Sequence, residues 1–368
     1  SILVSRCEMK YKTYNCNSFN IYTIKTDRFK TSHLEVIFKN VLKKEEIGTY
    51  SFLADMLSEG CKKYPRKKDL ITRFEELYKI VIYASTMRVG NVIDLHVSLD
   101  FINPEYIEDE GYIEDVIKTL FEVILNPNVC NDEFDLKTFN IVKERLRREI
   151  NSLKENPVKQ SIKEAIKTMD SNSPTSYEIL GTIEELENIT PAKLYNAYKS
   201  LRKNFKVDVF LIGNLDMDNV ASLIKKYFKN RYIVSDNFEV MVDNKETKKV
   251  KVKAMKSDNI QTNLVMLFNL KNLSELEKNI TLNCFNYLYG SGGLTSKLYK
   301  SIREENSLCY AINSMYLKYD KLLMVQISLD NCNVKKAISL VKKELKSMQN
   351  GNFSEEEVRD AINIWLCL

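Results

Sequence analysis

Residues 91–100, "NVIDLHVSLD", and residues 321–330, "KLLMVQISLD", share the alternating pattern of a half-buried strand and the same Ser-Leu-Asp exit. The segments after them are alike as well. An apolar-periodic helix comes next, over 116–125 in the first copy and 334–348 in the second. In the second, Asn333 is placed to cap, and Val334, Ile338, Val341 and Leu345 form one apolar face. A short polar turn then leads to another helix: "NPNVCNDEF" (126–134) and "NGNFSEEEV" (350–358), the latter with Ser354 and Glu357 spaced as a capping box. A chain that repeats strand, helix, turn and helix contains two related α+β domains, with sheet faces covered by helices.

The first copy continues. In "ITPAKLYNAYKSL" (189–201), Thr190 is an N-cap and Pro191 the first helical residue. "VDVFLIGNLD" (207–216) reads as a buried strand ending in a turn, and "MDNVASLIKKYF" (217–228) as an amphipathic helix. The polar stretch 232–249 reads as a linker between a domain over 1–231 and one over 250–368. "VKVKAMK" (250–256) and "QTNLVMLFNL" (261–270) open the second copy as strands. The second copy stops where the first still has its 160–230 segment to come, so the second domain reads as cut short or as smaller in its own right.

Composition removes several classes of function. With 44% hydrophobic and 29% charged residues over 368 positions, the chain is globular and long enough for two cores. Fifty-five Lys and Arg against 50 Asp and Glu give a net charge of only +5, in mixed order. The short clusters Lys62–Lys63 and Arg66–Lys68 are no basic stripe, which argues against nucleic acid as a partner. Eight dispersed cysteines (7, 16, 61, 130, 284, 309, 332, 367) form no C-x-x-C pair and suit a reducing compartment. No apolar run reaches membrane-spanning length, and the N-terminus lacks signal architecture, so a cytoplasmic location without a membrane is expected. G-x-S-x-G and phosphate-loop motifs are missing, and no local signature supports Cys–His catalysis. The two histidines, His33 just ahead of "LEVIFKN" and His96 inside "VIDLHVSLD", form no H-x-x-x-H pair and read as structural or surface residues.

The helix in "GTYSFLADMLSEGCKKYP" (48–65) poses a sharper question. Phe52, Leu53, Met56 and Leu57 form its apolar stripe, while Ser51, Ala54 and Asp55 on the other face have no local partner. This segment resembles the zinc-binding helix of the M16 peptidases, the pitrilysin and mitochondrial-processing-peptidase family, written G-x-x-H-F-L-E-H-M-x-F-x-G-T-x-x-Y-P. Gly48, Phe52, Leu53, Met56, Gly60, Tyr64 and Pro65 match by position. The resemblance places Ser51 and Asp55 at the two histidine ligands and Ala54 at the glutamate base. Serine is a poor zinc ligand and alanine accepts no proton. The family's third ligand falls nearest Glu149, with Glu144 as second choice; both also read as solvated helix charges. No bound zinc, and no cleavage by this chain alone, is what the resemblance implies.

The second copy carries "YLYGSGGLTSKLYKSIREENSLCYAI" (287–312). Its glycines Gly290, Gly292 and Gly293, its Ser296–Tyr299 run, and Arg303 seven residues before Tyr310 are similar to the M16 turn, S-[RK]-L-[FY] helix and Arg/Tyr pair. The resemblance implies a peptide-contacting loop and pair, since a guanidinium fork and a phenol can hold a peptide carbonyl. Taken without it, Arg303 is a surface helix residue, Tyr310 opens a strand and the glycines make a turn. "TSYEILGTIEELENITPAKLYNAY" (175–198) and "VFLIGNLD" (209–216) extend the match, with Asn214 in place of the usual aspartate. "TDRFKTSHLEVIF" (26–38) and "LYKIVIYASTMRVGN" (77–91) resemble inactive-type M16 proteins of Gram-positive bacteria, encoded beside an active M16 partner and linked by name to 5-aminopentanol modification of elongation factor P. The implied fold is two homologous M16-type domains, each a largely antiparallel sheet covered by helices. The implied role is a non-catalytic subunit that offers Arg303 and Tyr310 to a peptide beside an active H-x-x-E-H partner, the only subunit expected to hold zinc. The alternatives are a peptide-binding or scaffold protein of a modification pathway, and a hydrolase using another site.

Overall fold

The computed structural model describes residues 11–230, 232–244, 249–256 and 259–367. Cys7, the N-terminal stretch read for signal architecture and the side chain of Cys367 lie outside the described residues. Contacts divide the chain into two compact units, one of 1–150 with 178–239 and one of 151–177 with 240–368.

In chain order the elements begin with strands β1 (Tyr11–Asn15), β2 (Phe19–Lys25) and β3 (Thr31–Val41), then helices α1 (Ile47–Leu57) and α2 (Lys67–Glu76). The hairpin β4 (Val81–Val89) and β5 (Val92–Ile102) turns at Gly90, whose φ of 60° favours glycine. Helix α3 (Tyr112–Leu125), the two-residue strands β6 (Val129–Cys130) and β7 (Glu133–Phe134), and the long α4 (Leu136–Glu155) come after it. Next are α5 (Pro157–Met169), which belongs to the second unit, α6 (Ile183–Glu187), α7 (Pro191–Asn204), β8 (Lys206–Gly213) and α8 (Met217–Tyr227). Thr190 caps α7 as its sequence predicts, accepting from the Lys193 N–H at 3.2 Å.

The first unit is built on a six-stranded sheet in the order β1-β2-β8-β3-β5-β4. All its pairings are antiparallel except β2 with β8. Leu34, Val36 and Phe38 on β3, Leu95, Val97 and Leu99 on β5, and Val207, Val209 and Leu211 on β8 are buried, the period-2 pattern of strands with one face on a core. On the other face several polar side chains pair with one another. His33 lies within β3, not ahead of it, because the strand runs on to Thr31 opposite Ile102; its Nδ1 is 2.9 Å from Asp100 Oδ1. His96 on β5 has its Nδ1 2.7 Å from Glu35 Oε1.

The second unit holds β9 (Thr262–Asn269), α9 (Leu282–Asn286) extended on both sides by π-helical turns, β10 (Cys309–Leu317), β11 (Leu322–Leu329), α10 (Val334–Gln349) and α11 (Glu355–Cys367). Its sheet is antiparallel, in the order β10-β11-β9. Tyr289, Leu298, Ile302, Val325, Ile327 and Val341 anchor its core. The Ser354–Glu357 capping box forms in both directions, at 2.9 and 3.1 Å. Asn333 makes no capping bond; its amide instead donates to Leu308 O at 3.3 Å. The face of α10 that packs includes Val334, Val341 and Leu345 of the predicted stripe, with Ala337 rather than Ile338 beside them and Met348 continuing it.

Residues 250–256, expected as a strand, join no ladder. Val250 and Val252 are more than four-fifths exposed, while Lys251 donates to Met169 O at 2.8 Å and Lys253 to Glu164 at 2.6 Å. The alternation is real, but its polar half is what binds, along α5.

Candidate functional site

Helix α1 is packed on nearly every side, against β4, β5, α6 and α7. Beyond the apolar stripe, Ser51 is 5% and Ala54 1% exposed, so the small residues mark contact rather than a solvent face. A close approach makes this possible. A Cβ on Gly48 would lie 3.1 Å from the Gly181 Cα, and Gly181 itself sits at φ +72°. That crossing brings the segment before Gly181 onto α1, where Ser51 Oγ donates to Ile179 O and shares a hydrogen bond with Thr86 Oγ1 on β4, both at 2.5 Å. The Ser51 hydroxyl is therefore consumed by structure.

Asp55 points to α4. Arg145 sets one guanidinium nitrogen 3.3 Å from Asp55 Oδ2 and another 2.8 Å from Glu59 Oε1. Burial pushes the Asp55 carboxyl up, Arg145 opposes this, and the charges of Glu149 and Glu59 add to it. Arg145 is raised above the ordinary guanidinium value although burial works against it, because Glu59 and Asp55 hold its charged form. Glu149 acts on Asp55 through its charge, and its side chain is exposed. Glu144 pairs with Arg147 instead. Among the described residues no group of three or more His, Cys, Asp or Glu side chains is placed to hold a metal ion. The zinc ion of the M16 pattern does not fit here: one hydroxyl is engaged, the base position is a methyl group, and the remaining carboxylate faces a guanidinium.

In the second unit the glycine turn splits in two. A Cβ on Gly290 would sit 2.6 Å from Ser314 Oγ, so this residue is buried packing against β10. Gly292 donates to Tyr287 O across a five-residue π turn, and Gly293, at φ +60°, is exposed. A second π turn, with the Glu305 N–H donating to Lys300 O at 2.9 Å, ends beside Arg303. Arg303 is exposed, its guanidinium 5.1 Å from the Tyr299 ring centroid, and its charge reaches the Cys309 thiol. Tyr310, the second residue of β10, is 52% exposed and donates its hydroxyl to Asp330 at 3.1 Å, which raises its own ionisation. Arg145, Glu59 and Asp330 are the contributors that sequence reading passed over. Glu59, four residues after Asp55, was the available signal, since two carboxylates one turn apart call for a cation.

Residues 188–364 match the family profile described as the peptidase M16 inactive domain. A curated relative from Bacillus subtilis (strain 168), named a probable inactive metalloprotease YmfF, is 26% identical over 92% of this chain and 79% of its own length. Among solved structures, a conserved protein from Enterococcus faecalis V583 superposes with a TM-score of 0.87 at 22% identity, over 96% of this chain and 84% of that one. A peptidase M16 inactive domain from Pseudomonas fluorescens gives 0.78 at 16% identity, over 97% and 83%. Profile, relative and fold point the same way: over residues 188–364 the chain matches the peptidase M16 inactive domain, and as a whole it is similar to inactive-type homologues of the M16 peptidases.

Proposed function

We propose that this chain is the non-catalytic member of a two-subunit M16-type peptidase, offering Arg303 and Tyr310 to a peptide while a second M16 protein carries H-x-x-E-H and zinc. The observation that carries this reading is the state of α1. Its ligand and base positions are committed to packing and to Arg145, while an exposed guanidinium and an exposed phenol persist in the second unit. A peptide carbonyl accepts from the Arg303 fork. Tyr310 offers the peptide a further hydrogen bond when its O–H turns away from Asp330, and such donors stabilise charge that builds on a carbonyl oxygen. Gly292 and Gly293 give the turn a backbone surface for the same peptide; Gly290 supports it from within. The free cysteines suit a reducing, cytoplasmic setting for the pair.

The test is zinc content and peptide cleavage by this chain alone and mixed with the H-x-x-E-H M16 protein of the same organism. We expect cleavage only in the mixture, reduced on the order of 10²-fold by Arg303→Ala, with a smaller loss for Tyr310→Phe. A mixture that forms no complex and cleaves nothing sinks this reading and leaves a peptide-binding or scaffold protein.

A further inference from the structure

We propose that Arg145 is a built-in cation that takes the electrostatic place of a metal ion beside α1, so that histidines restored there hold zinc only once the guanidinium is removed. This rests on reading α1 as a replaced zinc-binding helix. Asp55 stands in the last turn of α1 and Glu59 in the turn just past its end, with side chains 29% and 11% exposed, and both face Arg145. A half-buried and a buried carboxylate so placed repel each other and call for a positive group between them. Arg145 supplies it from α4, its planar fork spanning both carboxylates at 3.3 and 2.8 Å, a bridge that a monodentate ammonium does not reproduce. Lys67 stands second to it, 3.6 Å from Glu59. Glu149 comes one turn after Arg145 on α4 and acts on Asp55, so the acidic surroundings of a cation persist and only the cation differs.

A fixed guanidinium differs from a bound ion in one respect: it cannot leave. A divalent ion entering beside it meets like charge at contact range, while the neighbouring carboxylates Asp55 and Glu59 are already paired with Arg145. Loss of zinc binding at this helix is therefore held in two places, in the ligand substitutions at Ser51, Ala54 and Asp55 and in Arg145.

Equilibrium dialysis of the full chain against zinc alone separates them. Three proteins are compared: the native chain, the Ser51→His/Ala54→Glu/Asp55→His variant, and the same variant with Arg145→Ala. We expect zinc affinity to rise about tenfold or more when Arg145→Ala is added, with the triple variant close to the native chain. Equal zinc in the two variants, or none in either, overturns the proposal. Stoichiometric zinc on the native chain overturns the reading of α1 itself, so the two failures are distinguishable. If the triple variant does not fold, thermal unfolding of otherwise native Arg145→Ala, Asp55→Ala and the double variant decides. A midpoint lowered by Arg145→Ala and partly recovered in the double variant supports the bridge; strictly additive losses overturn it.

Discussion

Strands β4, β5 and β3 in the first unit and β10, β11 and β9 in the second are the same antiparallel arrangement, built from the same Ser-Leu-Asp motif, yet their third strands live differently. β3 has β8 on its far side and buries Leu34, Val36 and Phe38 completely. β9 has no strand there among the described residues; α5 packs against it instead, and Thr262 to Phe268 are all half-buried. Alternation in a sequence specifies which face turns inward, but neighbours decide how deeply. The helix beside each hairpin shows a second contrast. In the first unit, Ser51 on α1 binds Thr86 on β4; in the second, Ser314 on β10 donates to Asn286 Oδ1 of α9 at 2.6 Å. Each copy ties its helix to its edge strand with a buried serine, placed on the helix in one and on the strand in the other.

The largest effect that bears on this comparison is a matched pair of truncations. Phe38→Ala on β3 should cost about 3–5 kcal/mol, and Phe268→Ala on half-buried β9 clearly less; urea unfolding with equal losses at both sites would break the distinction between the strands. Next come the two serines. Ser51→Ala strands the Ile179 carbonyl and Thr86, and Ser314→Ala strands Asn286, so each should lose about 1–3 kcal/mol by the same measurement. A loss at only one would show that the two ties are unequal.

The smallest effect is a pH dependence. The hydrogen bond from His96 holds the Glu35 carboxyl below its ordinary 4.5, against the opposing pull of burial. The folded value lies below the unfolded one, so its stabilisation is complete above about 4.5 and is lost as pH falls through the depressed value. In the second unit the bond from Lys297 lowers Glu357 in the same direction. Unfolding midpoints measured into acid should fall, and Glu35→Gln and Glu357→Gln should each flatten part of that slope.

Much of this was legible in the sequence because it is local. The Thr190 cap, the Ser354–Glu357 box and the strands β5 and β11 each rest on residues within a few positions of one another. What failed depended on distant partners. The Val-Lys alternation of 250–256 reads as a strand until α5 is seen to take its lysines. Ser51 and Ala54 read as an open helix face until the Gly48–Gly181 crossing closes over them. At the candidate site the M16 resemblance pointed to α1, Arg303 and Tyr310, while Arg145 was one charge among several in "ERLRREI". Its pairing with Asp55, on a helix far earlier in the chain, is a tertiary fact that no spacing reveals.

The position of β8 has a consequence for how the chain is made. It enters the first sheet between β2 and β3, with Val207 beside Phe19 and Ile212 beside His33. Both neighbours leave the ribosome well over a hundred residues before it, a wait of about ten seconds or more at ordinary elongation rates. During that interval β2 and β3 present unpaired backbone edges, and the first unit cannot close. Loop-closure entropy makes such late insertion slow, so nascent chains stopped short of Gly213 should be held by chaperones, while those carrying β8 and α8 escape them.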